Sequence, residues 1–336
     1  MALVLILDGG LGWIVHRAKV QREAVAAIMH GQNQIIYDWD YDKFYRSGKG
    51  LNAPRWLVNW LGPDYFGNIA HVRLDGPDRG AEMAQVGRLS HLVSFDALGT
   101  DMTDGHAVQL GDLPDLESVS FWNTRGITGE TLAGMSELRK LTNLRLIGSS
   151  LTDGDLAFIA GHVRLVGLIV ESDAITDAGL FHLKGMTKLK NLDLKSRAIT
   201  GAGLVNLQEM TNLIDLNLEK TQVDDLKSLA GLVNLRSLSL MDTAITDADL
   251  AHLRGLTKLT RLFLSRTRVT DAGLEVLASL PSLELLFLDG TAITDAGLMR
   301  LSGSRRLGWV AVGQTKISAE QSSAFEKAHP KISVTQ

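Results

Sequence analysis

Nine times along this chain a phrase of the form Leu-x-x-Leu-x-Leu recurs, sometimes with another apolar residue in place of a later leucine. Its opening leucines are Leu116, Leu141, Leu165, Leu189, Leu213, Leu235, Leu259, Leu283 and Leu307. The step is 24 residues, apart from a first step of 25 and a step of 22 between Leu213 and Leu235. A constant period of this size means that each period buries the same positions against the next. A single period cannot bury its apolar side alone, so it is stable only within a stack. A weaker coil at residues 89–94 precedes the nine, and residues 69–74 are placed to begin the stack. A length of 336 residues suits an elongated stack better than one globular core.

One period, residues 283–307, shows what is repeated. In LELLFLDG, Leu286 and Leu288 face one way, while Leu285, Phe287 and Asp289 face the other, the alternation of a short strand. Thr291 follows the strand, and Thr124, Ser149, Thr221, Thr243, Thr267 and Thr315 match it, with Asp173 and Arg197 breaking the column. A hydroxyl there can satisfy a backbone group in a buried turn. Then comes AITDAGL at 292–298, repeated at 174–180, with near copies AITGAGL at 198–204 and AITDADL at 244–250. Thr294 reads as a helix N-cap, flanked by Ile293 and Leu298 as a hydrophobic staple. Asp295 suits the positive end of that helix. Gly297 is a poor helix former whose use is to let neighbouring coils approach. The short step falls where Val223-Asp224-Asp225-Leu226 lacks two residues, which predicts a shortened helix start and a local change of curvature.

The pattern predicts an α/β fold: a right-handed leucine-rich repeat solenoid, or horseshoe, with parallel strands on its concave face and helices on its convex face. The expected organisation is an apolar segment at 1–15, a capping region at 16–68, the solenoid at 69–317 and a second cap at 318–336. In the N-terminal cap, 17–29 reads as a helix and 34–37 as a strand. Asn52-Ala53-Pro54 opens a short helix whose Trp56 and Trp60 are expected to cover the open end of the first coil. At the other end, Ser318-Ala-Glu-Gln321 is a capping box for a helix reaching about residue 329. Pro330 stops it, and Ile332 and Val334 supply a last strand fragment.

The repeats LTRLFLSRTRVTDAGLEVLASLPSLELLFLDGTAITDAGLMRL resemble those of bacterial leucine-rich repeat proteins of the ITDAGL type. They are also similar to the repeats of eukaryotic F-box leucine-rich proteins. The resemblance covers roughly residues 87–317 and implies a curved scaffold that binds other proteins on its concave face. Too few helices precede residue 62 for an F-box, so target selection for ubiquitin ligases is not carried over. REAVAAI and PRWLVNWLGPDYFGNIAHVRL resemble the amino-terminal region of membrane-anchored bacterial members.

The first fifteen residues, MALVLILDGGLGWIV, are shorter than a membrane-spanning helix and contain Asp8. Three readings stay open: the trimmed end of a membrane anchor, a buried strand or helix, and a cleaved signal. A membrane-associated chain with a soluble repeat domain is favoured over a freely cytoplasmic one. Cysteine is absent, which excludes disulfides, thiolate metal sites and a cysteine nucleophile. With a net charge of −4 and no Lys/Arg block, nucleic acid is not an expected partner.

Chemistry is weakly signalled. LVLILDGGLG followed by a helix and QIIYD has the outline of a dinucleotide-binding turn, but Val15 stands where the third glycine or alanine belongs. Asp38, Asp40 and Asp42 begin like a calcium loop, but Lys43 and Lys49 occupy its glycine and glutamate positions. RSGKG lacks the first glycine and the final hydroxyl of a phosphate loop. No catalytic, cofactor-binding or metal-ligating residue is assigned. The expected function is a non-catalytic, monomeric protein-interaction scaffold. The alternatives are a nucleotide- or metal-dependent activity in the first 60 residues, or a structural envelope protein. The candidate partner-binding residues point outward from the strands: Asp193, Asp215, Asn217 and Glu219 in a polar centre, then Arg261, Phe263, Leu285, Phe287 and Trp309 toward the C-terminus. A water-facing strand has no structural need for aromatics, and aromatics are the usual hot spots.

Overall fold

Leu192, Leu216, Leu238, Leu262 and Leu286 lie directly opposite one another on consecutive parallel strands, a single file that Val310 and Val334 continue. This file is the spine of the second of two compact units, 1–150 and 151–336, in the computed structural model. The structure describes residues 2–29, 31–41 and 53–336.

The second unit holds strands β6 (Gly167–Glu171), β7 (Asn191–Lys195), β8 (Asp215–Asn217), β9 (Ser237–Ser239), β10 (Arg261–Phe263), β11 (Leu285–Phe287), β12 (Trp309–Ala311) and β13 (Ser333–Thr335). They pair in chain order, all parallel, and the inward leucines are buried throughout. In the first unit, β2 (Ile69–Asp75), β3 (Ser94–Leu98), β4 (Ser118–Trp122) and β5 (Asn143–Ile147) pair in the same manner, with Val72, Phe95, Val119 and Leu144 in file. The cap strand β1 (Gln34–Tyr37) joins β2 antiparallel. The fold is therefore the α/β leucine-rich repeat architecture that the period requires, and the stack begins at Ile69.

The side opposite the strands is built from short helices of three to seven residues, many of them 3₁₀ rather than α, such as Gly201–Leu207 and Phe181–Leu183. Too few residues remain in each period for a long helix. At the short step only Lys227–Leu229 is helical, the shortened element expected there.

The threonine column works as the spacing implies. Thr221, Thr243, Thr267, Thr291 and Thr315 each donate to the carbonyl three residues back, at 2.6–2.7 Å. Where Asp173 and Arg197 break the column, the preceding serines substitute: Ser172 donates to Leu151 O at 2.7 Å and Ser196 to Ile175 O at 2.6 Å. Thr124 and Ser149 do not follow the rule; their buried hydroxyls have no partner among the described residues.

AITDAGL proves to be a clasp between coils. Thr294 caps its helix by accepting from Ala296 N at 3.3 Å. Its own N–H and hydroxyl donate to Asp271 of the preceding coil, at 2.7 and 2.6 Å. The same pair of bonds joins Thr176 to Asp153, Thr200 to Asp177 and Thr270 to Asp247, and Ser318 uses Asp295 in the same way. In the first unit Thr128 holds Asp104. A Cβ at Gly297 would collide with the Asp271 carboxylate, and one at Gly179 or Gly203 with the corresponding aspartate. The clasp lapses at Gly201, which stands in the aspartate position immediately before the short step, and Thr246 turns to its own Asp249 instead.

At the C-terminus, Ser318 caps helix Ala319–Ala328 by accepting from Gln321 N at 3.1 Å, and β13 follows, as the capping box implies. In the N-terminal region the helix expected at 17–29 and the strand at 34–37 both form, but the helix begins far earlier. LVLILDGGLG is part of one helix, α1 (Ala2–Ile28), so the strand and glycine-rich turn of a dinucleotide site are not formed. Asp38 opens a helical turn, α2 (Asp38–Tyr41), where its carboxylate accepts from Trp39 N at 2.9 Å and Asn68 N at 3.0 Å. Asp42, Lys43, Lys49 and the RSGKG stretch lie outside the described residues. Helix α3 (Arg55–Leu61) forms, but it buries none of its residues: Trp56 and Trp60 are 68% and 75% exposed and do not seal the first coil. No helix among the described residues is long and apolar enough to cross a membrane.

One core position is out of character. His162 is buried at the place that Met186, Met210, Leu232, Leu256 and Leu280 fill in later coils. Burial holds its pKa below the ordinary 6.5. The unfolded chain then binds a proton that the folded chain resists, so this contribution is complete above about pH 6.5 and is lost as pH falls toward the lowered folded value. His162→Met should therefore reduce the drop in unfolding midpoint between about pH 7.5 and about pH 5.5. A slope should remain from His71, whose pKa burial also lowers against the opposing pull of Asp96. An unchanged pH dependence in the variant would refute the assignment.

Candidate protein-binding surface

All nine candidate residues lie in the second unit, and register alone places most of them. On the outward face, Asn191, Asp215, Ser237, Arg261, Leu285 and Trp309 form one row, and Asp193, Asn217, Ser239, Phe263, Phe287 and Ala311 form the next. Glu219 follows two residues beyond β8. Outward and inward positions alternate because successive strand side chains point to opposite faces.

The C-terminal part of this face is aromatic and continuous. Phe263 and Phe287, opposite each other on β10 and β11, stack with centroids 4.4 Å apart and planes 19° from parallel. Trp309 is diagonal to Phe287 and meets it edge-on at 4.8 Å and 88°. The three rings are half-buried, largely by one another, and Leu285 lies beside Trp309 in the row. Such ring pairs stabilise neighbouring strands while leaving outer edges and faces to solvent.

The polar part is more self-sufficient than the sequence suggests. Asp193 accepts from Asn217 Nδ2 at 3.0 Å, and burial raises its carboxyl pKa against the opposing pull of Lys195. Asn217 Oδ1 in turn accepts from Glu219 N at 3.0 Å. Glu219 sits 3.2 Å from Lys220 Nζ and 4.0 Å from Lys195 Nζ. Arg261 reaches over Ser237, two strands along, to Asp215 at 3.0 Å. These bonds balance much of the acidic charge within the face. Ser237 and Ser239, the small residues that separate the polar rows from the rings, were not among the candidates. Two consecutive short outward residues between longer ones were their sequence signal.

Among the described residues no three His, Asp or Glu side chains gather in a way that could hold a metal ion.

A family model described as "Leucine rich repeat" matches residues 233–293, the coils that contribute β9 to β11. No curated protein matches the chain. Among solved structures, an internalin from Listeria monocytogenes is similar in fold, with a TM-score of 0.59 at 18% sequence identity, over 83% of this chain and 92% of that one. Files of leucines on parallel strands, the matched repeat model and the shared fold agree on a leucine-rich repeat fold.

Proposed function

We propose that this chain is a non-catalytic scaffold that binds a partner protein on the outward strand face of its second unit. Phe287 and Trp309 are the anchors, Phe263 and Leu285 complete the apolar floor, and Arg261 marks its border with the polar rows. Asp193, Asp215, Asn217 and Glu219 select a partner carrying basic groups, to the extent that their internal pairs can be exchanged for it. The observation that carries the reading is the ring cluster on a face turned to water: inward leucines already supply the core, so core burial does not account for the aromatics. Leucine-rich repeat folds commonly present such faces to proteins, and the resemblance of these repeats to the bacterial ITDAGL type and to F-box leucine-rich proteins points the same way.

The test is capture of partners from the native lysate by the full chain and by Phe287→Ala/Trp309→Ala. Truncating an aromatic hot spot costs about 2 kcal/mol or more, roughly 30-fold in affinity, so the double variant should lose its partner. Its fold is checked by circular dichroism and thermal unfolding, because the rings also brace their strands. Undiminished capture by a folded double variant would sink the proposed site.

A further inference from the structure

The first unit exposes a second set of aromatics, unrelated to the strand face. Trp56 and Trp60 stand one turn apart on α3, and Trp13 and Val15 on α1 are 58% and 45% exposed. The exposure is not for want of seating. Helix α1 is held by a buried stripe of Ala18, Gln21, Ala24 and Ile28 at helical spacing, and Trp13 and Val15 precede that stripe. The two helices meet where Arg22 donates to the carbonyl oxygen of Leu61, the last residue of α3, at 3.0 Å, while Arg17 donates to that of Tyr65, beyond α3, at 3.4 Å.

Basic side chains surround the meeting point. His16, Lys19 and Arg22 on α1 and Arg55 at the start of α3 are exposed, and Arg17 lies over the Trp13 ring at 5.3 Å. Two of the acidic groups on these elements are engaged, Asp64 with Arg22 at 3.5 Å and Glu23 with Arg88 at 3.0 Å. Exposed tryptophans interleaved with cations match the headgroup layer of a bilayer. There an indole sits half in the apolar region, and a long basic side chain lets its charge reach a phosphate.

We propose that this corner of the first unit docks on the surface of a bilayer containing anionic lipid. Trp56 and Trp60 enter the headgroup layer, while Lys19 and Arg55 face the lipid phosphates. The contact is with a surface and requires no membrane span. It is independent of the strand-face reading.

The experiment is co-sedimentation of the full chain with vesicles of phosphatidylcholine alone, or with about one-third phosphatidylserine. The chain should sediment with the anionic vesicles, with a blue-shifted tryptophan emission, and should release as salt rises. Lys19→Glu/Arg55→Glu should weaken binding about fivefold per charge, and Trp56→Ala/Trp60→Ala about tenfold or more. All four residues are exposed, so both variants should fold, and an unchanged thermal midpoint verifies it. Equal sedimentation with and without phosphatidylserine would overturn the proposal. So would full binding by the tryptophan variant, or a protein that is captured through Trp56 and Trp60 while vesicles are ignored.

Discussion

Asp271→Ala should lower the stability of the second unit by about 2–3 kcal/mol, as measured by chemical denaturation. The carboxylate accepts two bonds from Thr294, at 2.6 and 2.7 Å, and hydrogen bonds to a charged group contribute about 1.5–3 kcal/mol each before water replaces part of the loss. Asp295→Ala should cost less than half as much, because its partner Ser318 is exposed and its hydroxyl bonds are longer, at 3.1 and 3.2 Å. The sharper form of the prediction is a double-mutant cycle. Gly297→Ala places a Cβ against the Asp271 carboxylate and should cost about 2 kcal/mol, by forcing the clasp open. In the Asp271→Ala background that oxygen is gone, and alanine's better helix propensity should bring the cost of Gly297→Ala close to zero. The coupling should be about 1.5–2 kcal/mol. Additive effects would show that the glycine is there for some reason other than the neighbouring aspartate.

That clasp also marks the boundary of what could be read from the residues. The file of leucines and the threonine column were legible because each depends on a position relative to its own period, and a fixed period repeats that position. The aspartate of ITDAGL was assigned to the helix within its own coil, since a carboxylate at a helix start has a sufficient local explanation. Its stronger bonds reach the next coil, where sequence separation hides them. The signal was present: Gly201 loses the aspartate, and no AITDAGL phrase follows in the short coil. The serine substitutes at 172 and 196 escaped notice for a similar reason, because the donor moves one residue and bonds a different strand's neighbour. At the candidate site, outward direction and the ring cluster followed from alternation. The Arg261–Asp215 bridge did not, because it spans two strands and depends on Ser237 being small. In the cap, apolarity does not mean burial. Trp56 and Trp60 lie on a helix with no neighbour on that side among the described residues, and the glycines at 9, 10 and 12 did not stop α1.

Asp64→Ala should loosen the N-terminal cap by about 3 kcal/mol while leaving the second unit's repeats intact. Asp64 is 4% exposed and gathers three side chains from two elements: Tyr37 of β1 donates to it at 2.9 Å, Gln21 of α1 at 3.1 Å, and Arg22 of α1 lies at 3.5 Å. Gln21 is itself buried and spans onward, donating to Gly67 O at 3.1 Å and accepting from Ile69 N at 3.2 Å at the start of β2. Burial first, and then the bond to Asp64, raise the Tyr37 hydroxyl's pKa, so it stays a donor at any physiological pH. Removing the carboxylate strands that hydroxyl and the Gln21 amide away from water, which costs more than the bonds themselves contributed. Asp64→Asn retains an acceptor for the tyrosine and should cost about half as much. The readout is limited proteolysis under native conditions. Trypsin should cut after Arg17, Lys19 and Arg22 much faster in Asp64→Ala than in the parent, since cleavage follows the population of the opened helix. If α1 resists trypsin equally in both, the cap is held by its Ala18, Ala24 and Ile28 stripe alone, and the polar network is dispensable.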